Sequence, residues 1–435
     1  MKRYAVIALA LVMMLSTFSL ASAQDQAPLT VDIFGPGQRQ VNLVILPPRS
    51  LEEQMPQFAE TFEKTVKNNL SYLPFIKGTQ MSQLLGGDPS KGVRSTEIDF
   101  RPLQLAKIDL VMTTGWKPNG VEVRVFDTFG RRMIIGKAYG RVSKENVVSI
   151  ADRFCSAFVD ALTGKKAFFD SPLAFVRQLG KSKEIYTVLP QGRELTRITT
   201  MGGFNLGPAW SPDGSKLAFT HIGGKSHYLG IFDAKTGKTT LHTEKLGQSV
   251  ISPEFMPGGG LAVTLNRHGH ADIFQLDGNY KPRRVLAKSS FIDVSPSFDR
   301  AGRKMVFTSG RAGNPHIYMM DLQSGSVRRI TLDGPYNTHP CISPDGRYIA
   351  YNRRTGSGHR IFVYDLATGR DRQVSFGPGS DEYPAFGPDG YFIAFASNRS
   401  GQYKLYLTTR HGDAAKMIQT GSGAAFAPAW DTKLQ

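Results

Sequence analysis

The chain has 435 residues, of which 40% are hydrophobic and 20% charged. That length asks for two or three domains, and the balance excludes a disordered or collagen-like chain. A net charge of +17 would raise nucleic acid as a partner of a cytosolic protein; for an exported one it points instead to acidic protein surfaces, anionic lipid or envelope polymers.

Export is what the first residues predict. Lys2 and Arg3 form a basic start, Ala5 to Leu15 an apolar run, and Ala21-Ser22-Ala23 a small-residue cleavage site. Residues 1–23 therefore read as a signal peptide. The apolar run is shorter than the roughly 20 residues of a spanning helix, and no later stretch is apolar enough to be one. The mature chain is expected outside the cytoplasm, without a transmembrane segment and with no nucleic acid as partner.

Residues 24–168 read as an α/β domain. Gln24 to Leu29 is expected to be a flexible tail and Thr30 to Phe34 a strand; Val41 to Leu46 is a β-branched strand ending at Pro47-Pro48. Ser50 and Glu53 have the spacing of a capping box, and Phe58, Phe62, Val66 and Leu70 then recur on one helical face. Residues 77–101 are rich in Gly, Ser and charge and read as a mobile loop. Strands follow at Asp109 to Thr114, Val121 to Phe126 and Met133 to Tyr139, around turns at Asn119-Gly120 and Gly130. A second helix places Val147, Val148, Ala151, Phe154, Phe158 and Leu162 on one side, with Gly164 as its C-cap.

From Pro172 to Gln435 the chain repeats with a period of 44. Strand-like segments begin at Ile185, Leu229, Ile273, Ile317, Ile361 and Leu405, followed in several units by an Asp and then a Gly (Asp233 and Gly237, Asp321 and Gly325, Asp365 and Gly369). An Asp that bonds its own backbone and a Gly that accepts positive φ suit a tight turn. A second series keeps the period: Leu173-Ala174-Phe175, Leu217-Ala218-Phe219, Leu261-Ala262-Val263, Met305-Val306-Phe307, Ile349-Ala350-Tyr351 and Ile393-Ala394-Phe395. A third precedes it at Pro208, Pro253, Pro296, Pro340, Pro384 and Pro428. Ser211-Pro212-Asp213-Gly214, Ser343-Pro344-Asp345-Gly346 and Gly387-Pro388-Asp389-Gly390 form turns between the third and second series. Four short strands every 44 residues predict a propeller blade. Residues 172–435 are thus expected to be an all-β, six-bladed β-propeller. The last proline strand lacks successors and the first unit lacks a proline strand. Their pairing would close the ring and remove an open edge, and a closed ring is expected to be a monomer.

Cys155 and Cys341 fall in different segments and read as separate buried thiols. No Gly-x-Gly-x-x-Gly, P-loop, Gly-x-Ser-x-Gly, Cys-x-x-Cys or His-Glu-x-x-His pattern occurs, so neither catalysis nor a cofactor is expected. All nine histidines lie in the repeats. Several of them, with His268-Gly269-His270 as the densest pair, fall on loops at one face of the expected channel. No acidic partners recur at matching offsets, so a partner-contacting rim is preferred to a metal site.

The residues from Ile292-Asp293 through Pro296-Ser297-Phe298, Arg311, Gly313-Asn314-Pro315 and Ile317-Tyr318 to Tyr336-Asn337, Pro340 and Ser343-Pro344-Asp345-Gly346 resemble the propeller repeat of the TolB family. Leu162-Thr163-Gly164-Lys165 with Phe169 and Leu173-Ala174-Phe175-Val176 is similar to that family's junction between its two domains. The resemblance implies a periplasmic component of the Tol–Pal envelope system, without catalysis, supporting outer-membrane integrity and constriction at division. It implies that the propeller rim binds the peptidoglycan-associated lipoprotein and that the N-terminal domain binds TolA. Asp293, Arg311, Asn314, His316, Asn337, His339, His359, Asp381 and Glu382 are the candidate partner-binding residues on that rim. A metal-dependent lyase or lactonase working at the channel mouth, or a cell-wall glycan binder, is the competing expectation.

Overall fold

The computed structural model describes residues 40–52, 54–165, 168–242, 249–267 and 269–432. The expected signal peptide, the tail at Gln24 to Leu29, the strand at Thr30 to Phe34 and His268 lie outside them.

The described chain starts with six strands: β1 (Val41–Ile45), β2 (Arg49–Ser50), β3 (Ile76–Thr79), β4 (Leu110–Lys117), β5 (Gly120–Asp127) and β6 (Arg132–Gly140). They form one mixed sheet in the order β3-β1-β4-β5-β6, with β2 also on β4. Pairing is parallel from β3 to β4 and antiparallel from β4 to β6. Helix α1 (Ala59–Leu70) buries Phe62, Val66 and Leu70, and Trp116 of β4 meets the rings of Phe58 and Phe62 edge-on at 5.7 Å. Helix α2 (Phe100–Leu105) is short, with Asp99 accepting from the Arg101 backbone at its start. Helix α3 (Val147–Thr163) buries Phe154, Phe158 and Leu162 and ends at Gly164, whose φ of 66° suits glycine.

Two expectations fail in this part. Ser50 does not cap a helix: it lies in β2, Leu51 N donates to Trp116 O at 2.8 Å, and the helix waits until Ala59, just past Pro56. The bond to β4 outweighs the capping pattern. Residues 77–101 are not a loose loop either. They hold the end of β3, two 3-10 turns at Met81–Gln83 and Ser95–Glu97 and a bridge between Ser90 and Ile98. Leu84 and Ile98 are buried with Phe100, Leu103 and Phe126 in a core of their own.

The remaining strands fall into groups of four. The first group is Ala424–Trp430, Leu173–Leu179, Ser182–Val188 and Thr196–Arg197; the second is Phe204–Trp210, Lys216–Gly223, Ser226–Asp233 and Lys238–His242. The third begins at Ser249–Phe255, the fourth at Asp293–Phe298, the fifth at Asn337–Ile342 and the sixth at Asp381–Phe386. Every step inside a group is antiparallel, and one parallel pairing of Phe204 with Lys183 joins the first two groups into an eight-stranded sheet. Ala424–Trp430 pairs antiparallel with Leu173–Leu179, as the sequence predicts. The proline strand of each group touches that of the next, and Ala424–Trp430 touches both Asp381–Phe386 and Phe204–Trp210.

The turns form for the expected reasons. Asp233, Asp321 and Asp365 accept backbone N–H bonds at 2.8 Å from Thr236, Ser324 and Ala367, and Gly237, Gly325 and Gly369 take φ of 69°, 73° and 70°. The two parts of the chain share a core in which Phe168 packs on Phe169, Phe392 and Trp430. Beside it, buried Asp152 of α3 accepts from Asn69 at 2.8 Å and pairs with Arg193. Cys155 and Cys341 are free thiols in different parts of the fold.

Candidate functional site

Each proline strand carries the same irregularity. Pairing with the following strand slips between Leu206 and Ala209, Ile251 and Glu254, Val294 and Ser297, Thr338 and Cys341, Glu382 and Ala385, and Phe426 and Ala429. These are β-bulges. The residue before the proline is left-handed in all six: Gly207, Ser252, Ser295, His339, Tyr383 and Ala427, with φ from 44° to 58°. Five of them are not glycine. The bulges lie along a central cavity of about 500 Å³ lined by these six residues with Lys183, Glu254, Glu382, Tyr403 and Phe426. A second cavity of about 560 Å³ continues beyond the prolines, lined by Trp210, Phe298, Phe386 and Trp430, and it shares Glu254 with the first. Across its far end Arg300 Nη2 donates to Thr432 O at 2.7 Å.

The wall of the first cavity is uneven. Gly207, Ser252, Ser295 and Ala427 are small, whereas the His339 ring stands edge-on to Tyr383 at 4.3 Å. Glu382 Oε1 accepts from the Tyr403 hydroxyl at 2.9 Å and lies 3.4 Å from His359 Nδ1. Burial, with the charge of His359 adding to it, pushes the His339 imidazole down to about 4, so it is neutral at pH 7. Burial first, and then the bond to Glu382, pushes the Tyr403 phenol up. The mouth thus presents a neutral imidazole, phenols and one carboxylate.

Glu254 sits where the two cavities meet, and removal from water pushes its carboxyl up to about 8. No hydrogen bond from another described residue reaches it. A carboxyl whose pKa rises on folding favours the fold while protonated. That contribution is complete below the ordinary glutamate range and is lost as pH climbs towards 8. Replacing Glu254 with Gln is therefore expected to flatten the stability profile between about pH 5 and pH 8. At pH 8.5 the same change should raise the unfolding free energy by about 2 kcal/mol, a figure reduced because the group opens onto the channel. Urea titrations of both proteins across that range check it, and parallel profiles would refute it.

The nine residues expected on the rim separate by burial. Asp293, Asn337 and Asp381 have no exposed surface and His316 is 5% exposed. Asp293 accepts from Arg311 at 3.0 Å, and Asp381 from Arg399 at 2.9 Å. Asn337 bonds Arg353 at 2.9 Å and His316 Nδ1 at 3.1 Å. The held guanidinium groups of Arg311, Arg353 and Arg399 lie over aromatic rings of the next strands. Burial, then Arg329 and Arg353, keeps the His316 imidazole below its ordinary range. These four residues shape the rim from within. Arg311, His339, His359 and Glu382 are partly exposed, and Asn314 is exposed on a hairpin.

His339, His359 and Glu382 come together at the mouth, while Arg311 and Asn314 belong to the fourth group. Sequence reasoning missed Glu254, Tyr383, Tyr403 and Lys183. The missed signal for Tyr383 was the position preceding each repeated proline. Among the described residues no three His, Cys, Asp or Glu side chains stand together as metal ligands.

The family model described as the TolB beta propeller domain matches residues 159–434. The chain is 43% identical over 293 residues to a Tol-Pal system protein TolB of Nitratidesulfovibrio vulgaris, covering 65% of this chain and 66% of that protein. It is 36% identical over 188 residues to a Protein TolB homolog of Chlorobium chlorochromatii, covering 43% and 42%. The chain thus matches less than two thirds of the length of these relatives. Its fold is that of the crystal structure of TolB from Acinetobacter baumannii, with a TM-score of 0.78 at 22% identity over 91% of this chain and 97% of that one.

Proposed function

The chain belongs to the TolB β-propeller family, and on that premise we propose that it is a periplasmic, non-catalytic protein-binding component of the Tol–Pal envelope system. In this reading the peptidoglycan-associated lipoprotein docks on the channel mouth and its rim, residues 24–168 form an α/β domain that engages TolA, and the pair of contacts supports outer-membrane integrity and constriction at division. The six four-strand groups of residues 172–435 are read as blades of one closed ring. The proline strands touching in order, with the last-made strand against the second group, support that reading.

The observation that carries the proposal is the mouth itself. His339, His359, Glu382, Tyr383 and Tyr403 converge there from the fifth and sixth groups, on a rigid scaffold and beside a cavity of about 500 Å³. Aromatic and polar groups around a preformed cavity suit the anchor of a protein interface. Arg311 and Asn314 widen the same face, and Asp293, His316, Asn337 and Asp381 hold its arginines and loops in place.

Calorimetry with the periplasmic domain of the host's own peptidoglycan-associated lipoprotein tests the reading. Saturable binding is expected, weakened about tenfold or more by His339→Ala or Glu382→Ala. Absence of binding heat with the intact protein would reject it. Binding that is indifferent to both substitutions would move the site elsewhere.

A further inference from the structure

The face that carries the mouth repeats a pairing of exposed apolar and cationic side chains. Gly310 N donates to Ile292 O at 2.9 Å, which sets Phe291, 49% exposed, beside the hairpin of Arg311. Arg354 N donates to Tyr336 O at 2.9 Å, which sets a 39% exposed tyrosine beside an exposed arginine. Lys183 Nζ stands 5.7 Å over the Phe204 ring, itself 43% exposed.

Charge on this face is one-sided. Lys181, Lys225 and Arg354 are exposed on its loops and hairpins and form no ion pair among the described residues. Among the described residues of those loops the exposed carboxylate is Asp333, with Glu382 half-buried at the mouth.

We propose that this face takes an acidic, amphipathic protein segment, whose carboxylates meet Lys181, Lys225 and Arg354 and whose apolar side chains cover Phe204, Phe291 and Tyr336. The inference rests on reading the face as the partner face, and it specifies the chemistry of that partner. A purely anionic polymer would leave the apolar half in water. A neutral apolar segment would strip water from cations without pairing them, which is costly. Only a surface carrying both groups satisfies the pairing at successive positions around the mouth.

The test uses two synthetic probes of equal length and charge: a peptide alternating Asp or Glu with Phe or Leu, and oligoglutamate interrupted by Ser. The first is expected to bind at least about tenfold tighter and to weaken about tenfold between 50 and 300 mM NaCl as screening grows. Arg354→Glu and Phe291→Ser, both at exposed positions, should each weaken it about fivefold. Equal binding of the two probes, or binding unmoved by salt or by Arg354→Glu, overturns the inference. The same salt series with the host lipoprotein separates the two ideas. Salt-insensitive lipoprotein binding removes this inference and leaves the proposed partner standing, whereas tight peptide binding without lipoprotein binding does the reverse.

Discussion

Replacing Asp381 with alanine is expected to lower the unfolding free energy by about 3–5 kcal/mol. Its carboxylate has no exposed surface and accepts from Arg399 at 2.9 Å, while Arg360, 4% exposed, lies 3.9 Å away. Arg360 also donates to the carbonyls of Gly377 and His359, and Arg399 rests over Phe395 and Tyr406. Removing the carboxylate leaves two guanidinium groups facing each other in a space shielded from water. Loss of one partner of a buried pair costs far more than loss of an exposed one. Asp381→Asn keeps the shape and an acceptor oxygen and should recover part of the loss. Glu52→Ala, which removes an exposed ion pair with Lys117, should cost less than about 1 kcal/mol. Denaturant unfolding of the three variants decides the matter. A loss below about 1 kcal/mol for Asp381→Ala would mean that the carboxylate does not hold this rim together.

The other large effect is expected at Trp430. It lies on the strand that brings the end of the repeats back to their start, pairing with Leu173. Its ring meets Phe168 at 5.8 Å, and Nε1 donates to Ser171 O at 3.2 Å. Truncating a buried aromatic of this size costs about 3–5 kcal/mol through lost transfer energy and the cavity left behind. Trp430→Ala should therefore lower the unfolding midpoint by a large margin. It should also loosen Leu173–Leu179, because that strand has Ala424–Trp430 as its neighbour on one side. Hydrogen exchange at Leu173 and Phe175 would report the loosening, and exchange unchanged from wild type would argue against it. Trp430→Phe, which keeps most of the ring, should restore most of the protection.

Those two sites were not equally readable in the chain. The 44-residue period placed Trp430 two residues past the last repeated proline and paired it with the strand at Leu173, because a regular repeat repeats its turns as well as its strands. Asp381 is also singled out by the sequence, but its burial is not legible there. A charged residue just after a loop, at the start of a strand, reads as solvent-facing, and nothing local reveals that Arg399, 18 residues later, folds back over it. Burial of Asp293 and Asn337 escaped notice for the same reason. Further upstream, the capping pattern at Ser50 lost to a sheet bond from Leu51 to Trp116, a partner 65 residues away. Residues 77–101 looked unstructured because their buried side chains, Leu84, Val93 and Ile98, keep neither a helical nor an alternating spacing. Glu254 follows the same rule. Its neighbours in sequence are ordinary, and only the convergence of six strands takes its carboxyl away from water.

The left-handed residue ahead of each repeated proline has a further consequence. Serine, histidine, tyrosine and alanine all adopt it here beside a single glycine, so the bulge and the strands around it, not the kind of side chain, impose the conformation. A lineage can therefore exchange any of these six side chains and keep the six proline strands in place. The passage behaves like a mould with removable inserts: its bore can be widened, narrowed or made more polar one insert at a time, and two members of the family could admit quite different guests through the same frame.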